Sequence, residues 1–249
     1  MSDLLVRVLG WPATVLHGDP QVYARWTWCR RRLQPGPIKV LDAGCGSGAF
    51  TMAAARRGND ALGLSFDERN NAIAAERART LGLTNVRFET ADLRRLDSLA
   101  PALGTFDEVL CTEVIEHIMD DRKLVRDLAA LLKPGGRLLL TTPNKDYRPL
   151  VGDVLSTVED GGHVRWGYSH GEIRALLDGA GIDVVEESWN SGIISQQLTN
   201  LTRLLSRVDP RFAWAAVFPL RVLTLIDEPL TKLLSYPYFS IAVVGIKRA

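Results

Sequence analysis

The stretch VLDAGCGSGAF, residues 40–50, decides how this chain is read. A short apolar run ends in an acid, Asp42, and passes directly into glycines at 44, 46 and 48. Glycine reaches backbone conformations closed to other residues, so the pattern predicts a strand, a tight turn and then a helix. The N–H groups of such a turn, with a helix N-terminus behind them, suit a bound ligand. Asp42, at the strand's carboxyl end, can position a cationic one. Gly44-Cys-Gly46-Ser-Gly-Ala49 also fits the relaxed GxGxxA dinucleotide fingerprint, and a tight turn with no ligand reads equally well from the glycines alone.

Working outward, apolar runs alternate with helical stretches. Strands are predicted at 38–41, 60–65, 85–89, 106–111 and 137–142, with helices at 48–57, 67–81 and 121–132. Leu124, Leu128 and Leu131 share one face of the last helix, which Gly135 and Gly136 are expected to end. Ser169 and Glu172 have capping-box spacing and open a helix near residue 170 that closes near Gly181. Strand–helix alternation at this spacing gives an α/β, Rossmann-like doubly wound sheet with helices on both faces. Two stretches break the alternation. Residues 143–168 form a long, polar, glycine-rich connection, and loops of that length inside a domain are usually functional. Residues 190–236 are rich in apolar and aromatic side chains, with Leu198, Leu201, Leu205 and Val208 at helical spacing, before a last strand, YFSIAVVGI, at 238–246.

The 249 residues carry 30 Lys+Arg against 29 Asp+Glu, a formal net charge of +1. That balance gives no basic excess for generic nucleic-acid binding. Cys29, Cys45 and Cys111 lie far apart without a CxxC pair, which excludes a zinc ribbon and a disulfide scaffold and suits a reducing, cytoplasmic location. No basic stretch followed by an apolar core opens the chain, and no run of about 18 apolar residues spans a membrane.

Together these segments resemble the class I S-adenosylmethionine-dependent methyltransferases, in order over about residues 22–190. VLDAGCGSG is similar to their glycine motif and TADLRRL (90–96) to their adenine-recognition segment. FDEVLCTEVIEHI (106–118) is similar to their fourth strand and its exit, and LLKPGGRLLLTTPN (131–144) to the turn into their fifth. The resemblance implies seven strands with the last antiparallel, and S-adenosylmethionine as cofactor. It divides a single domain, 1–249, into a helical segment 1–35, a cofactor-binding half 36–142, a substrate loop 143–168 and a helical cap 190–236 inserted before the last strand.

Carried over, Gly44, Cys45, Gly46 and Gly48 line the methionine and ribose part of the cofactor, with Asp42 behind them. Asp92 and the Leu93 backbone meet the adenine edge, and Thr112 faces the methionine. Arg25 stands at a spacing similar to that of a cofactor-contacting arginine in the ubiquinone-pathway O-methyltransferases; an ordinary surface arginine beside Arg30–Arg32 is the other reading. One departure concerns the ribose. ALGLSFDERN (61–70) has Ser65 where most of the family has an acid, and instead resembles the cyclopropane-fatty-acid-synthase branch, in which a hydroxyl and an amide five positions later share that task. Ser65 and Asn70 have that spacing, with Asp67 as the fallback.

A sulfonium methyl is already electrophilic, so the protein must align the reactants and exclude water, and an alcohol or phenol acceptor needs a base. The base candidates are Glu113, His117 and His163, with Glu116 and His170 nearby. His163 lies in the long loop with Arg165, Trp166 and Tyr168, which together read as a cation-plus-aromatic wall for the acceptor. Glu113, Glu116 and His117 resemble a Glu-x-x-Glu-His set that holds a divalent ion in some ubiquinone-type enzymes, implying Mg2+ or Mn2+; many metal-independent relatives carry the same run. FAWAAVFPLRVLTLI (212–226) reads as the roof of a lipophilic acceptor pocket, a homodimer interface or a peripheral membrane contact. The expected reaction is methyl transfer to a small, lipophilic acceptor (fatty acid, polyketide-like or phenolic), at oxygen. N- or C-methylation, nucleic-acid methylation and a catalytically inactive cofactor-binding partner are the alternatives. The near-zero charge, and TTPNKDY (141–147) in place of Asn-Pro-Pro-Tyr, weigh against nucleic acid.

Overall fold

A computed structural model describes residues 2–16, 19–147 and 154–249. Three helices come first: α1 (Ser2–Leu9), α2 (Pro12–Leu16) and α3 (Pro20–Cys29), the last capped by Asp19 with proline in its first turn. Then β1 (Lys39–Ala43), α4 (Ala49–Arg56), β2 (Asp60–Ser65), α5 (Glu68–Thr80), β3 (Val86–Thr90), α6 (Leu96–Leu103), β4 (Phe106–Thr112), α7 (Asp121–Leu131) and β5 (Leu132–Pro143) alternate. They are followed by α8 (His170–Gly179), β6 (Ile182–Asn190), the cap helices α9 (Ile193–Ser206), α10 (Pro210–Val217) and α11 (Asp227–Leu233), and β7 (Ser240–Lys247). A 3-10 segment, Phe218–Ile226, joins α10 to α11.

The seven strands form one sheet in the order β3-β2-β1-β4-β5-β7-β6. β1 pairs in parallel with β2 and β4, β2 with β3, and β4 with β5, whereas β7 runs antiparallel to both its neighbours. The expected doubly wound, seven-stranded architecture is the one observed. Its physical basis is the period of two along each strand. Leu41, Val109, Leu138 and Leu140 turn to one face, where Leu124, Leu128, Ile173 and Leu177 pack from α7 and α8. Val40, Leu110, Leu139 and Val244 turn to the other, against Trp28, Met52 and Ala54. Strands buried on both faces read as near-continuous apolar runs, which is why RLLLTT and IAVVG were legible as strands.

Three expectations need correction. α7 ends at Leu131, and β5 starts at Leu132 rather than at 137. Phe106 pairs with Leu132 while Glu108 pairs with Arg137, so Lys133–Gly136 bulge out of the ladder, and the two glycines shape that bulge instead of ending the helix. α6 has no counterpart in the sequence reading, because Pro101 stands inside a run of only eight residues and argues against a helix there. The capping box at Ser169 and Glu172 opens α8 as the spacing predicts.

The cap packs through α9, which buries Leu198, Thr199 and Asn200 and contacts α3. No residue of Phe218–Ile226 is buried, and Val222 and Leu225 are 63% and 76% exposed. Among the described residues no helix is long and apolar enough to cross a membrane.

Candidate active site

A cavity of about 600 Å3 opens at the carboxyl ends of β1, β2 and β4. Its wall brings together Gly44, Gly46, Ser65, Asn70, Asp92, Leu93, Glu113 and His117, eight residues singled out from the sequence. The turn after β1 is anchored by two bonds, from the Gly44 and Cys45 N–H groups to the Leu64 carbonyl, 2.9 and 2.8 Å. Gly44 has φ +87°, and a Cβ there would run into the Val114 side chain. Asp42 lies buried beneath the turn and accepts from Thr51 Oγ1 of α4 at 2.7 Å. Burial pushes its carboxyl up to about 6, opposed by the Thr51 bond. It therefore braces the turn from behind and is not on the cavity wall.

Beyond β2, Ser65 Oγ accepts from the Asp67 N–H at 3.3 Å. The Asp67 carboxylate caps α5, accepting from Arg69 N at 2.8 Å and Asn70 N at 3.4 Å, so this acid is committed to the helix and only Ser65 and Asn70 reach the cavity. Phe66, 72% exposed, lies on the wall between them and was missed, although a large aromatic directly after a strand end is a readable signal. At the next strand end Asp92 accepts from the Arg94 N–H and from both Arg94 Nε and Nη2, 2.8 and 2.7 Å. The guanidinium holds this carboxyl below the usual range. Arg94 also reaches Glu159 at 3.2 Å, and Glu159 accepts from Met119 N at 2.6 Å, so Glu159–Gly161 are tied down on the cavity wall. Neither Arg94 nor Glu159 was anticipated, since nothing near residue 159 announces a partner 65 positions away.

At the β4 exit Glu113 has a left-handed backbone, φ +54°, uncommon for a residue with a side chain. Its Oε1 accepts from Thr141 Oγ1 of β5 at 2.9 Å and from Ser240 Oγ of β7 at 3.1 Å. Glu116 is fully buried and accepts from Thr142 Oγ1 at 3.1 Å; burial, then the neighbouring Glu113 charge, raise its carboxyl well above normal. His117 Nδ1 lies 3.0 Å from the Gly162 carbonyl, and its ring meets that of His163 edge-on, centroids 4.6 Å apart.

Several expected site residues stand elsewhere. Gly48 is a packing position, because a Cβ there would strike Phe88 and Ala74. Cys45 directs its Sγ toward the Gly46 carbonyl and Asn71, and Thr112, the last residue of β4, is half-buried off the wall. Arg25 stays on α3, its Nε bonded to the Gln21 carbonyl at 3.4 Å, though its charge is felt at Glu116. His163 lies behind His117, not on the wall. Arg165 bonds Asp121, Tyr168 and the Ile118 and Met119 carbonyls, and neither it nor Trp166 nor Tyr168 lines this cavity. No cap residue lines this cavity. The middle of the expected substrate loop, 148–153, lies outside the described residues.

Residues 19–187 match the methyltransferase-domain family. A ubiquinone biosynthesis O-methyltransferase of Xanthomonas axonopodis pv. citri (strain 306) is 29% identical over 203 residues, covering 78% of this chain and 82% of that protein. An S-adenosylmethionine-dependent methyltransferase from Mesorhizobium loti superposes with a TM-score of 0.60 at 20% identity, covering 93% and 100% of the two chains. A 4+2 cyclase superposes at TM-score 0.58 and 20% identity, covering 99% and 95%, so the fold by itself does not fix the reaction. With more than half of its length matched, the chain belongs to the methyltransferase-domain family and is a class I S-adenosylmethionine-dependent methyltransferase.

Proposed function

We propose that the protein methylates an oxygen of a small lipophilic phenol, with Glu113 as the proton acceptor. The observation that carries this reading is the placement of Glu113: on the cavity wall, in a strained backbone conformation, its carboxylate held by two hydroxyls from strands β5 and β7. The likeness to ubiquinone biosynthesis O-methyltransferases supports oxygen as the target. S-adenosylmethionine supplies the activated methyl group. Gly44 and Gly46 offer backbone against its methionine end, Ser65 and Asn70 offer a hydroxyl and an amide to the ribose, and Asp92 accepts from the adenine amine. Donors and acceptors of these types, on the wall of one 600 Å3 cavity, fit that molecule. Thr141 and Ser240 fix the Glu113 carboxylate so that one oxygen stays directed while the phenolic proton leaves. Ile118 and Val114 supply apolar wall.

The test is a panel of lipophilic phenols, carboxylic acids and amines incubated with labelled S-adenosylmethionine. Labelled methyl ether from the phenols, abolished in Glu113→Gln, is the expected result. Esters or N-methyl products, or full turnover by Glu113→Gln, would overturn it.

A further inference from the structure

No part of the methyl-transfer site uses the run in which β6 ends, Trp189-Asn190-Ser191-Gly192. Ser191 has a left-handed backbone, φ +59°, and strain of this kind gathers at functional sites. Beside it a second cavity, about 520 Å3, lies between α3, the end of β6 and the cap, and it shares no lining residue with the cofactor cavity. We propose that this second cavity binds a small aromatic carboxylate. Two residues of its wall, Asn190 and Ser191, are only 6% and 5% exposed, yet Asn190 Nδ2 and Ser191 Oγ have no hydrogen-bond partner among the described residues. Asn190 Oδ1 accepts from the Ser191 N–H at 2.9 Å, which fixes the nitrogen as the unsatisfied end of the amide. Both orphan groups can donate. A donor left unpaired in the interior is unfavourable, and an oxygen of the ligand would satisfy it.

The charges around the cavity set the sign of that ligand. Asp227 is spent on the start of α9, accepting from the Gly192, Ile194 and Ser195 N–H groups, and Glu228 pairs with Lys232 at 2.6 Å. Arg32 pairs with Glu186 and lies over Trp28, 4.6 Å from the ring centroid. Arg30 and Arg31 are exposed on the same wall with no ion-pair partner among the described residues, so the charge left over is positive. A guanidinium receives a carboxylate through two parallel bonds. The aromatic part of the ligand is matched by Trp189, 48% exposed, which stacks on Tyr238 with centroids 6.0 Å apart and 24° between the ring planes. A planar ring packs well on such a surface. Across the sheet Asn190 pairs with Ser240, whose hydroxyl donates to Glu113, so this cavity stands one strand away from the proton-accepting corner.

The experiment titrates the full-length protein with naphthoate by calorimetry, beside naphthylmethanol, which has the same ring without the charge. One naphthoate per chain is expected, about tenfold tighter than the alcohol and with the same affinity whether or not S-adenosylhomocysteine is present. Arg30→Ala combined with Arg31→Ala, both on the surface, should weaken naphthoate about tenfold, and Trp189→Ala about fivefold. Far-UV circular dichroism checks the fold of each variant, and S-adenosylhomocysteine affinity should stay within about twofold of wild type. Absence of binding to wild type, equal binding of the alcohol, displacement by S-adenosylhomocysteine, or full naphthoate affinity in the double arginine variant would overturn the assignment.

Discussion

The β1–β2 corner of the sheet and the β4–β5 corner are built by different means. At the first, the wall is built locally: a glycine turn bonded to the Leu64 carbonyl and braced by Asp42 and Thr51, nine residues apart, with Ser65, Phe66 and Asn70 following the next strand. At the second, the wall is side chains gathered from afar. Glu113 is held by Thr141, 28 positions on, and by Ser240, 127 positions on, and His117 leans on Gly162 across 45. A corner made of residues close in sequence can be recognised in a few short stretches of it. A corner made of distant side chains can be recognised only as a set of candidates whose roles the fold then distributes.

The contrast is broken most severely at the second corner. Glu113→Gln keeps the shape and removes the charge, so kcat with a phenolic acceptor should fall by about 10²–10⁴, while calorimetry shows S-adenosylmethionine affinity within about twofold of wild type. Unchanged turnover would move the proton acceptor elsewhere.

The first corner answers through stability. Burial raises the folded-state pKa of Asp42 from 3.8 to about 6. The folded protein therefore holds this proton more tightly than the unfolded chain, and the resulting stability is present at low pH and lost as pH rises from about 4 through 6. Asp42→Asn, able to accept from Thr51, should escape that loss. Its urea-unfolding free energy should gain on wild type between pH 4 and 7, by up to ~3 kcal/mol. A pH-independent difference would show that Asp42 titrates as a solvated acid.

A smaller effect sharpens the boundary between the corners. Asp92→Ala should weaken S-adenosylmethionine at least tenfold, ~1.4 kcal/mol, with kcat at saturation nearly intact. A fall in kcat alone would assign Asp92 to holding Arg94 and the loop. The smallest effect belongs to the cap. Val222→Ser alters a side chain 63% exposed, so melting and acceptor KM should stay close to wild type. A fivefold rise in KM would put the cap over the acceptor after all.

What could be read in the sequence followed the same division. The strands announced themselves as apolar runs because both faces of the sheet are covered, and Ser169 with Glu172 marked α8 through a bond spanning three residues. Gly44, Ser65 and Asp92 were readable as wall positions because each lies at or just beyond a strand end, and Asn70 because it stands in the first turn of α5, five residues after Ser65. Arg165 was misread because its partners, Asp121 and the carbonyls of residues 118 and 119, lie more than forty positions back. His163 was placed in the right loop and given the wrong neighbour, since a loop's sequence does not say which way its imidazole turns. The apolar run 212–226 suggested a roof by composition, but it divides into the end of α10, which buries Ala213 and Val217, and a 3-10 segment, Phe218–Ile226, with no buried residue, and composition alone does not say which part turns inward.

The antiparallel strand β7 has a consequence for how the molecule is made. It lies between β5 and β6 yet is synthesised after both, so a nascent chain that has just finished β6 carries two open strand edges facing a gap. The glycine turn and its brace need none of the missing residues and can form in such a chain. Glu113 still lacks the Ser240 hydroxyl. Vectorial synthesis thus completes the cofactor corner early and the proton-accepting corner last, when β7 closes the sheet and delivers its first side chain to the site.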